Sequence, residues 1–177
     1  MTKNLSFIPF LTLALLFASC GARRNAGQDP AIFDEGVVIN GIRWATRNVD
    51  TPGTFTQNPE NVGSFFTFEE AQNACPRGWR LPTYEELQSL VGAGSEWTTK
   101  NGVTGRSSRR NSLFLPAAGW HGADGALAGV GGWGGYWSSS VMRGPNLLGR
   151  HLLFFSGSSG VYESYSTFGF SVRCVAE

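Results

Sequence analysis

Thr67-Phe68-Glu69-Glu70-Ala71-Gln72-Asn73-Ala74-Cys75-Pro76-Arg77-Gly78-Trp79-Arg80-Leu81-Pro82-Thr83-Tyr84-Glu85-Glu86 contains the same helix-start device twice, separated by a cysteine and a tight turn. In each copy a threonine accepts from the first helical turn, and a glutamate three residues later reaches back to the threonine's own backbone. Phe68, Ala71 and Ala74 supply an apolar face, so the spacing predicts a short helix from about Phe68 to Ala74. Pro76 stops it just after Cys75, and Gly78 loosens the turn. After Leu81-Pro82, Leu87, Leu90 and Val91 share a second apolar face with Gly92 as C-cap, which predicts a helix over Tyr84–Val91.

Upstream, Val37-Val38-Ile39 and Ile42-Arg43-Trp44 flank Asn40-Gly41. That pair suits a type I′ turn, in which both central residues need positive φ, so the globular part opens with a β-hairpin. Downstream of Gly92 the helical pattern gives way to Gly, Ser, Thr and Asn, broken by short apolar runs at Leu113–Leu115 and Leu152–Phe155. The C-terminal half therefore reads as strands and long loops. In the last run Phe170, Val172 and Cys174 share parity, with Ser171 and Arg173 between them, which predicts a strand with its cysteine facing the core.

At the N-terminus, Lys3 precedes a mostly apolar run from Leu5 to Phe17, then small Ala18 and Ser19 before Cys20. This is the layout of a secretory signal peptide, with too few apolar residues to span a bilayer. Leu16-Phe17-Ala18-Ser19-Cys20 resembles a bacterial lipobox, departing from it at Phe17, where the pattern prefers leucine. The resemblance implies that Cys20 is diacylated and becomes the mature N-terminus. The chain has three cysteines, so lipidating Cys20 leaves Cys75 and Cys174 to pair in an oxidising compartment. A link closing so long a loop stabilises by roughly 4 to 5 kcal/mol in the chain-entropy picture. The small, polar stretch after Cys20 reads as a tether. The division is a signal peptide at 1–19, lipidated cysteine and tether at 20–34, and one domain at 35–177. Net charge is +1, and neither Arg23-Arg24 nor Arg106–Arg110 makes a nucleic-acid footprint; both read as solvated linker and loop.

Five ordered blocks carry a family resemblance: Ile42–Val49, Ala74–Thr83, Leu115–Gly119, Gly135–Ser140 and Gly169–Val175. Together they resemble the Fibrobacter succinogenes major paralogous domain over nearly everything after the tether. The resemblance implies an α+β, C-type lectin-like fold: two short helices on small antiparallel sheets, paired chain ends, and long loops carrying a binding surface. It also implies an exported lipoprotein of a Bacteroidetes-type bacterium. The fold supplies no ligand by itself.

Calcium-dependent lectin sites need several oxygens, carboxylates among them. Gly144-Pro145-Asn146 lacks the acid, and serines follow Trp137, so no metal and no other cofactor is expected. A relative of the formylglycine-generating oxidases needs redox-active thiols, whereas Cys75 and Cys174 serve as a staple. His121, Asp124 and Ser138–Ser140 contain the residue types of a hydrolase triad, but without a Gly-x-Ser-x-Gly elbow. Gly131–Trp137 lacks a phosphate loop's lysine and reads as backbone packed close to aromatics, Trp137 in the core and Trp133 either core or contact. Trp79 and Arg80 read as packing and a loop hydrogen bond.

The expected function is non-covalent recognition of a protein or glycan, with membrane attachment through the lipid alone. An enzyme of the sulfatase-modifying or hydrolase kind and a structural envelope or fimbria-associated component are the rival readings. The ligand surface is placed between about Arg143 and Phe168, on Arg150, His151, Leu152, Phe154, Tyr162, Tyr165 and Phe168. If Leu153 and Phe155 face the core, period two turns Leu152 and Phe154 outward; the opposite assignment exposes equally apolar residues. The loop around His121 and Trp133 is the alternative surface. The 143–168 stretch also resembles the variable segment of lectin-like proteins diversified by retroelements. An outer-membrane anchor facing the periplasm or the cell surface is expected; Gly21-Ala22-Arg23-Arg24 lacks the acidic residues associated with surface export in such bacteria, which keeps the periplasmic side open. Substituting Cys20→Ala is expected to release the protein from membranes; unchanged membrane association, with no acyl mass on the native protein, rejects lipidation.

Overall fold

The computed structural model describes residues 29–108, 113–142 and 148–177. The signal peptide, Cys20, Arg109, Arg110 and Gly144-Pro145-Asn146 lie outside the described residues. In chain order the elements are β1 Val37–Ile39, β2 Ile42–Trp44, α1 Phe68–Ala71, β3 Trp79–Arg80, α2 Tyr84–Gly92, β4 Ser95–Lys100 and β5 Val103–Ser108, followed by β6 Phe114–Pro116, β7 Trp120–His121, β8 Leu127–Ala128, β9 Trp133–Met142, β10 Leu148–Phe155, β11 Ser158–Tyr165 and β12 Val175–Ala176. They form small antiparallel sheets with two short helices, an α+β arrangement.

Both capping boxes are formed. Glu70 and Glu86 each accept from their threonine's backbone N–H at 2.8 Å. Arg80 holds the second box from outside, donating to both Glu86 carboxylate oxygens at 2.7 and 2.8 Å, and this pairing lowers the Glu86 pKa. The first helix is shorter than its sequence pattern, ending at Ala71; Asn73 and Ala74 turn through i→i−3 bonds that bring Cys75 to Cys174. Gly92 is still helical, and the residue with positive φ past the helix end is Gly94 (φ 77°).

Asn40 and Gly41 have φ of 50° and 81°, and β1 and β2 pair across them. The same device joins β4 to β5 at Asn101-Gly102, with φ of 49° and 80°. The C-terminal β12 lies between β2 and β3, so the last strand closes the sheet that the first hairpin opens. Cys75 and Cys174 are disulfide-bonded, tying the end of the first helical segment to the residue before β12.

The long sheet β11–β10–β9 separates two apolar clusters. Trp137 joins the one built on α1 and the disulfide, while its neighbour Tyr136 joins the one under α2. Gly135 allows the close approach: a Cβ there would lie 2.2 Å from the Phe170 ring.

Three expectations require correction. Residues 169–174 form isolated bridges rather than the expected strand, although Cys174 does face the core: Ser171 exchanges backbone bonds with Gly135 and Trp137, and Ser171 and Arg173 are as buried as the apolar residues between them. The described end of the tether is not free, since Asp34 accepts from Thr46 and Arg47, and Arg47 also donates to the carbonyls of Pro30, Phe33 and Thr56. Arg106 is a half-buried clamp rather than a solvated loop residue, donating to the carbonyls of Ser95 and Phe155.

Arg173 donates to Asn48 Oδ1 at 2.7 and 2.9 Å, to the Ala45 carbonyl at 3.1 Å and to the Phe114 carbonyl at 3.0 Å. Removing it leaves three buried acceptors unpaired, each costing about 1–3 kcal/mol. Arg173→Met is therefore expected to lose at least about 3 kcal/mol in urea unfolding, against about 1 kcal/mol or less for Arg80→Met at an exposed ion pair. Equal losses would show that the buried guanidinium is not a principal support.

Candidate functional site

The alternation of β10 sorts the residues of the expected ligand surface. Arg150, Leu152 and Phe154 point to one side of the sheet; His151, Leu153 and Phe155 point to the other. Leu152 (3 % exposed) and Phe154 (1 %) are core residues under α2, so placing them on a ligand surface is corrected. Adjacent strand residues cannot share a face, and a surface built on His151 excludes them. Arg150 belongs with them: its guanidinium lies 4.2 Å from the Tyr84 ring centroid and its Nε 3.4 Å from Glu163.

On the other side of the sheet, Trp120, Trp133, His151, Leu153, Ser164, Phe168 and Phe170 enclose a cleft of about 200 Å³. Trp133 from β9 meets Trp120 from β7 edge-on at 6.2 Å and leans on Phe155 at 4.6 Å. Phe170 stacks on the His151 ring at 4.3 Å with 10° between planes, and Trp137 meets both rings edge-on, 5.6 Å from His151 and 4.7 Å from Phe170. Of the expected residues, His151 and Phe168 are thus brought together. Tyr162 sits directly opposite His151 in the strand register and on the same sheet face, half exposed at 50 %. Tyr165, at 56 %, meets Phe168 edge-on at 6.1 Å. Trp120, Leu153, Ser164 and Phe170 escaped the sequence reading as contacts; Leu153 was detectable through its shared parity with His151, whereas Trp120 and Phe170 arrive from distant segments.

His151 is only 2 % exposed, so it is a cleft wall rather than a free surface group, and its Nδ1 has no hydrogen-bond partner. Burial pushes its pKa down to about 4. The imidazole is therefore neutral near pH 7, and the seven lining residues carry no charge. The cleft can take a neutral, largely apolar group.

A second, roomier cleft of about 460 Å³ lies along Phe65, Glu70, His121 and Thr167. It is the weaker candidate despite its size. Glu70 is occupied by the Thr67 capping box, which lowers its pKa, and the His121 ring rests on Phe65 at 4.7 Å. A void of about 20 Å³ under α2, lined by Leu90, Leu115 and Phe154, is a packing gap. Among the described residues no group of three His, Cys, Asp or Glu side chains is placed to hold a metal, and no helix is long and apolar enough to cross a membrane.

Comparison with known protein families, with curated proteins and with solved structures finds no match to this chain.

The buried imidazole makes stability depend on pH. Above its ordinary pKa of 6.5 it is neutral in both folded and unfolded chains; as the pH falls toward 4, the unfolded chain takes up a proton that the folded chain refuses. The contribution is fully present above about pH 6.5 and is lost on acidification, by about 2–3 kcal/mol at pH 4.5. Urea midpoints at pH 7.5 and 4.5 should fall further apart in the wild type than in His151→Phe; an identical spread would refute the assignment.

Proposed function

We propose that this chain is a lipid-anchored envelope protein whose C-type lectin-like domain binds a neutral, largely apolar group of a protein or glycan in the cleft between Trp120, Trp133 and Phe168. The observation that carries the reading is the cleft itself, with an uncharged aromatic wall built around a buried, unpaired histidine. The pairing of β12 with the first hairpin and the two short helices support the lectin-like expectation. The same resemblance supports export and lipidation at Cys20.

Calcium plays no part in the proposed binding, because no carboxylate lines the cleft and a hard cation needs several oxygen ligands. Catalysis is disfavoured on chemical grounds. Ser164 and His151 line one cleft, but a triad histidine needs Nδ1 held by an acid, and here that atom is unpaired. The cysteines that an oxidase would use, Cys75 and Cys174, are bonded to each other.

Trp133 is 37 % exposed, and the exposed Leu127 of β8 and Val130 of the turn after it precede it. A screen of the full chain against immobilised glycans and envelope proteins should yield a ligand whose affinity falls at least about tenfold in Trp133→Ala. Val38→Ala, on the exposed β1, should leave it unchanged. Affinity retained in Trp133→Ala would move the site away from this cleft.

A further inference from the structure

We infer that two copies of this chain pair antiparallel through the free edge of β11, joining their three-stranded sheets edge to edge about a dyad at Val161. The inference goes beyond the cleft and holds whatever the cleft binds. Ser156-Gly157 is a two-residue turn, so Phe155 and Ser158 form a hydrogen-bonded pair and such pairs alternate from there. Ser159, Val161 and Glu163 therefore turn their N–H and C=O groups away from β10, and among the described residues no backbone group meets them. The opposite edge is covered: between Trp133 and Ser139, β9 bonds to Gly119, Ser171 and Pro82. A sheet with one open edge closes with its own copy into a dimer rather than growing into a fibre.

A long bare edge is a template for another strand, and folds blunt it with charge, proline, a bulge or shortness. β11 runs for eight residues with no proline, no bulge and no charge except Glu163. Among the described residues the other sheet edges are two or three residues long or, in β4, carry Glu96 and Lys100. The residues of β11 suit their own copy in one register. With Val161 on the dyad, Gly160 faces Tyr162 of the copy and Ser159 faces Glu163. A Cβ on Gly160 would lie 3.0 Å from the half-exposed Tyr162 ring of its own strand, so that ring already lies over the glycine. In the dimer it also covers the copy's glycine, and the two rings meet diagonally across the axis. The Ser159 hydroxyl can donate to the Glu163 carboxylate. Centring the dyad on Glu163 sets like charges directly opposite, and centring it on Tyr162 sets Glu163 against Val161. Centring it on Gly160 shortens the ladder and leaves Glu163 outside it. The dyad is normal to the sheet, so both clefts open on the same face, and a ligand that bridges them gains avidity.

The test follows sedimentation of the full chain over rising concentration, with amide hydrogen exchange at each concentration to locate the contact. A ladder over 158–164 is a small interface, so a reversible dimer in the micromolar range is expected. The amides of Ser159, Val161 and Glu163 should gain protection as the dimer forms, whereas Gly160, Tyr162 and Ser164, which face β10, should not. Glu163→Pro removes an N–H that β10 does not use, and proline is tolerated on an outward edge. It should raise the dissociation constant at least about tenfold, through two lost ladder bonds per dimer, with the thermal midpoint near that of the wild type. Ser159→Lys, which meets Glu163 in this register, should tighten the dimer about threefold. Trp133→Ala, in the cleft, should leave dimerisation unchanged.

A chain that stays monomeric well above the micromolar range would overturn the inference, and the wild type decides this even if a variant fails to fold. A dimer that Glu163→Pro leaves intact, or that forms without new protection at Ser159, Val161 and Glu163, has its contact elsewhere and overturns it too. A monomer whose edge amides are protected only by a different envelope protein would give the edge to that partner, which also overturns the inference.

Discussion

The Arg173 guanidinium is buried and makes all its hydrogen bonds to neutral oxygens, and on that arrangement the placement of the other elements depends. A buried charge is tolerated only where polar groups replace the water it has lost. Here the replacements come from Ala45 and Asn48 after the first hairpin and from Phe114 in β6, so three distant segments must converge before the charge can be buried. Burial still depresses its pKa to about 10, which leaves it protonated at neutral pH. Asn48 passes the constraint on, donating to the Val62 carbonyl at 2.9 Å and to the Tyr136 hydroxyl at 3.3 Å. Tyr136 in turn donates to the Pro116 carbonyl, and burial raises its pKa to about 12, which secures it as a donor.

This network sits where β9 passes between the two apolar clusters, and it explains how one sheet serves both. Tyr136 and Trp137 are consecutive, fully buried and on opposite faces. The α2 side is filled by Leu152 and Phe154. The other side is filled only in part, by Trp137, His151 and Phe170, and beyond Leu153 the packing stops. The cleft is thus the unfilled margin of a core. Its walls are supported from behind by the disulfide and α1, since Phe170, Trp137, Phe68 and Cys174 belong to one cluster. A site built this way is rigid before any ligand arrives.

Local chemistry was legible in the sequence where a few adjacent residues determine the geometry. The two threonine–glutamate boxes, the Asn40-Gly41 turn and the core-facing Cys174 are of this kind. Asn101-Gly102 carries the same turn signal between weaker strands, Ser95–Lys100 and Val103–Ser108, whose polar composition hides them. What stayed illegible depends on the far side of each residue. Leu152-Leu153-Phe154-Phe155 is apolar at every position, so period two offers two equivalent assignments, and the choice is made by α2 lying over Leu152 and Phe154. The burial of Ser171 and Arg173 stayed illegible because Asn48, which accepts from Arg173, lies more than a hundred residues upstream, and Ser171 pairs through its backbone with the neighbouring strand β9.

A core of this kind has every means of avoiding an unpaired imidazole. Leucine or phenylalanine at position 151 would pack against Phe170 and Trp137 without desolvating a nitrogen, whereas an unsatisfied buried polar group costs about 1–3 kcal/mol. Some buried polar side chains nearby are paired: Trp137 donates its indole N–H to the Phe66 carbonyl at 2.7 Å, and Ser138 donates to the Arg150 carbonyl at 2.8 Å, whereas Arg150 Nε and Ser171 Oγ, like His151 Nδ1, have no hydrogen-bond partner. His151 differs from Arg150 and Ser171 in lining the cleft, at a margin of that cluster where the packing opens. Departures from local consistency concentrate at functional sites, where the cost is offset elsewhere in the fold. The offset here has identifiable sources in the Cys75–Cys174 link and the Arg173 network, both of which hold the walls of the cleft without touching its opening.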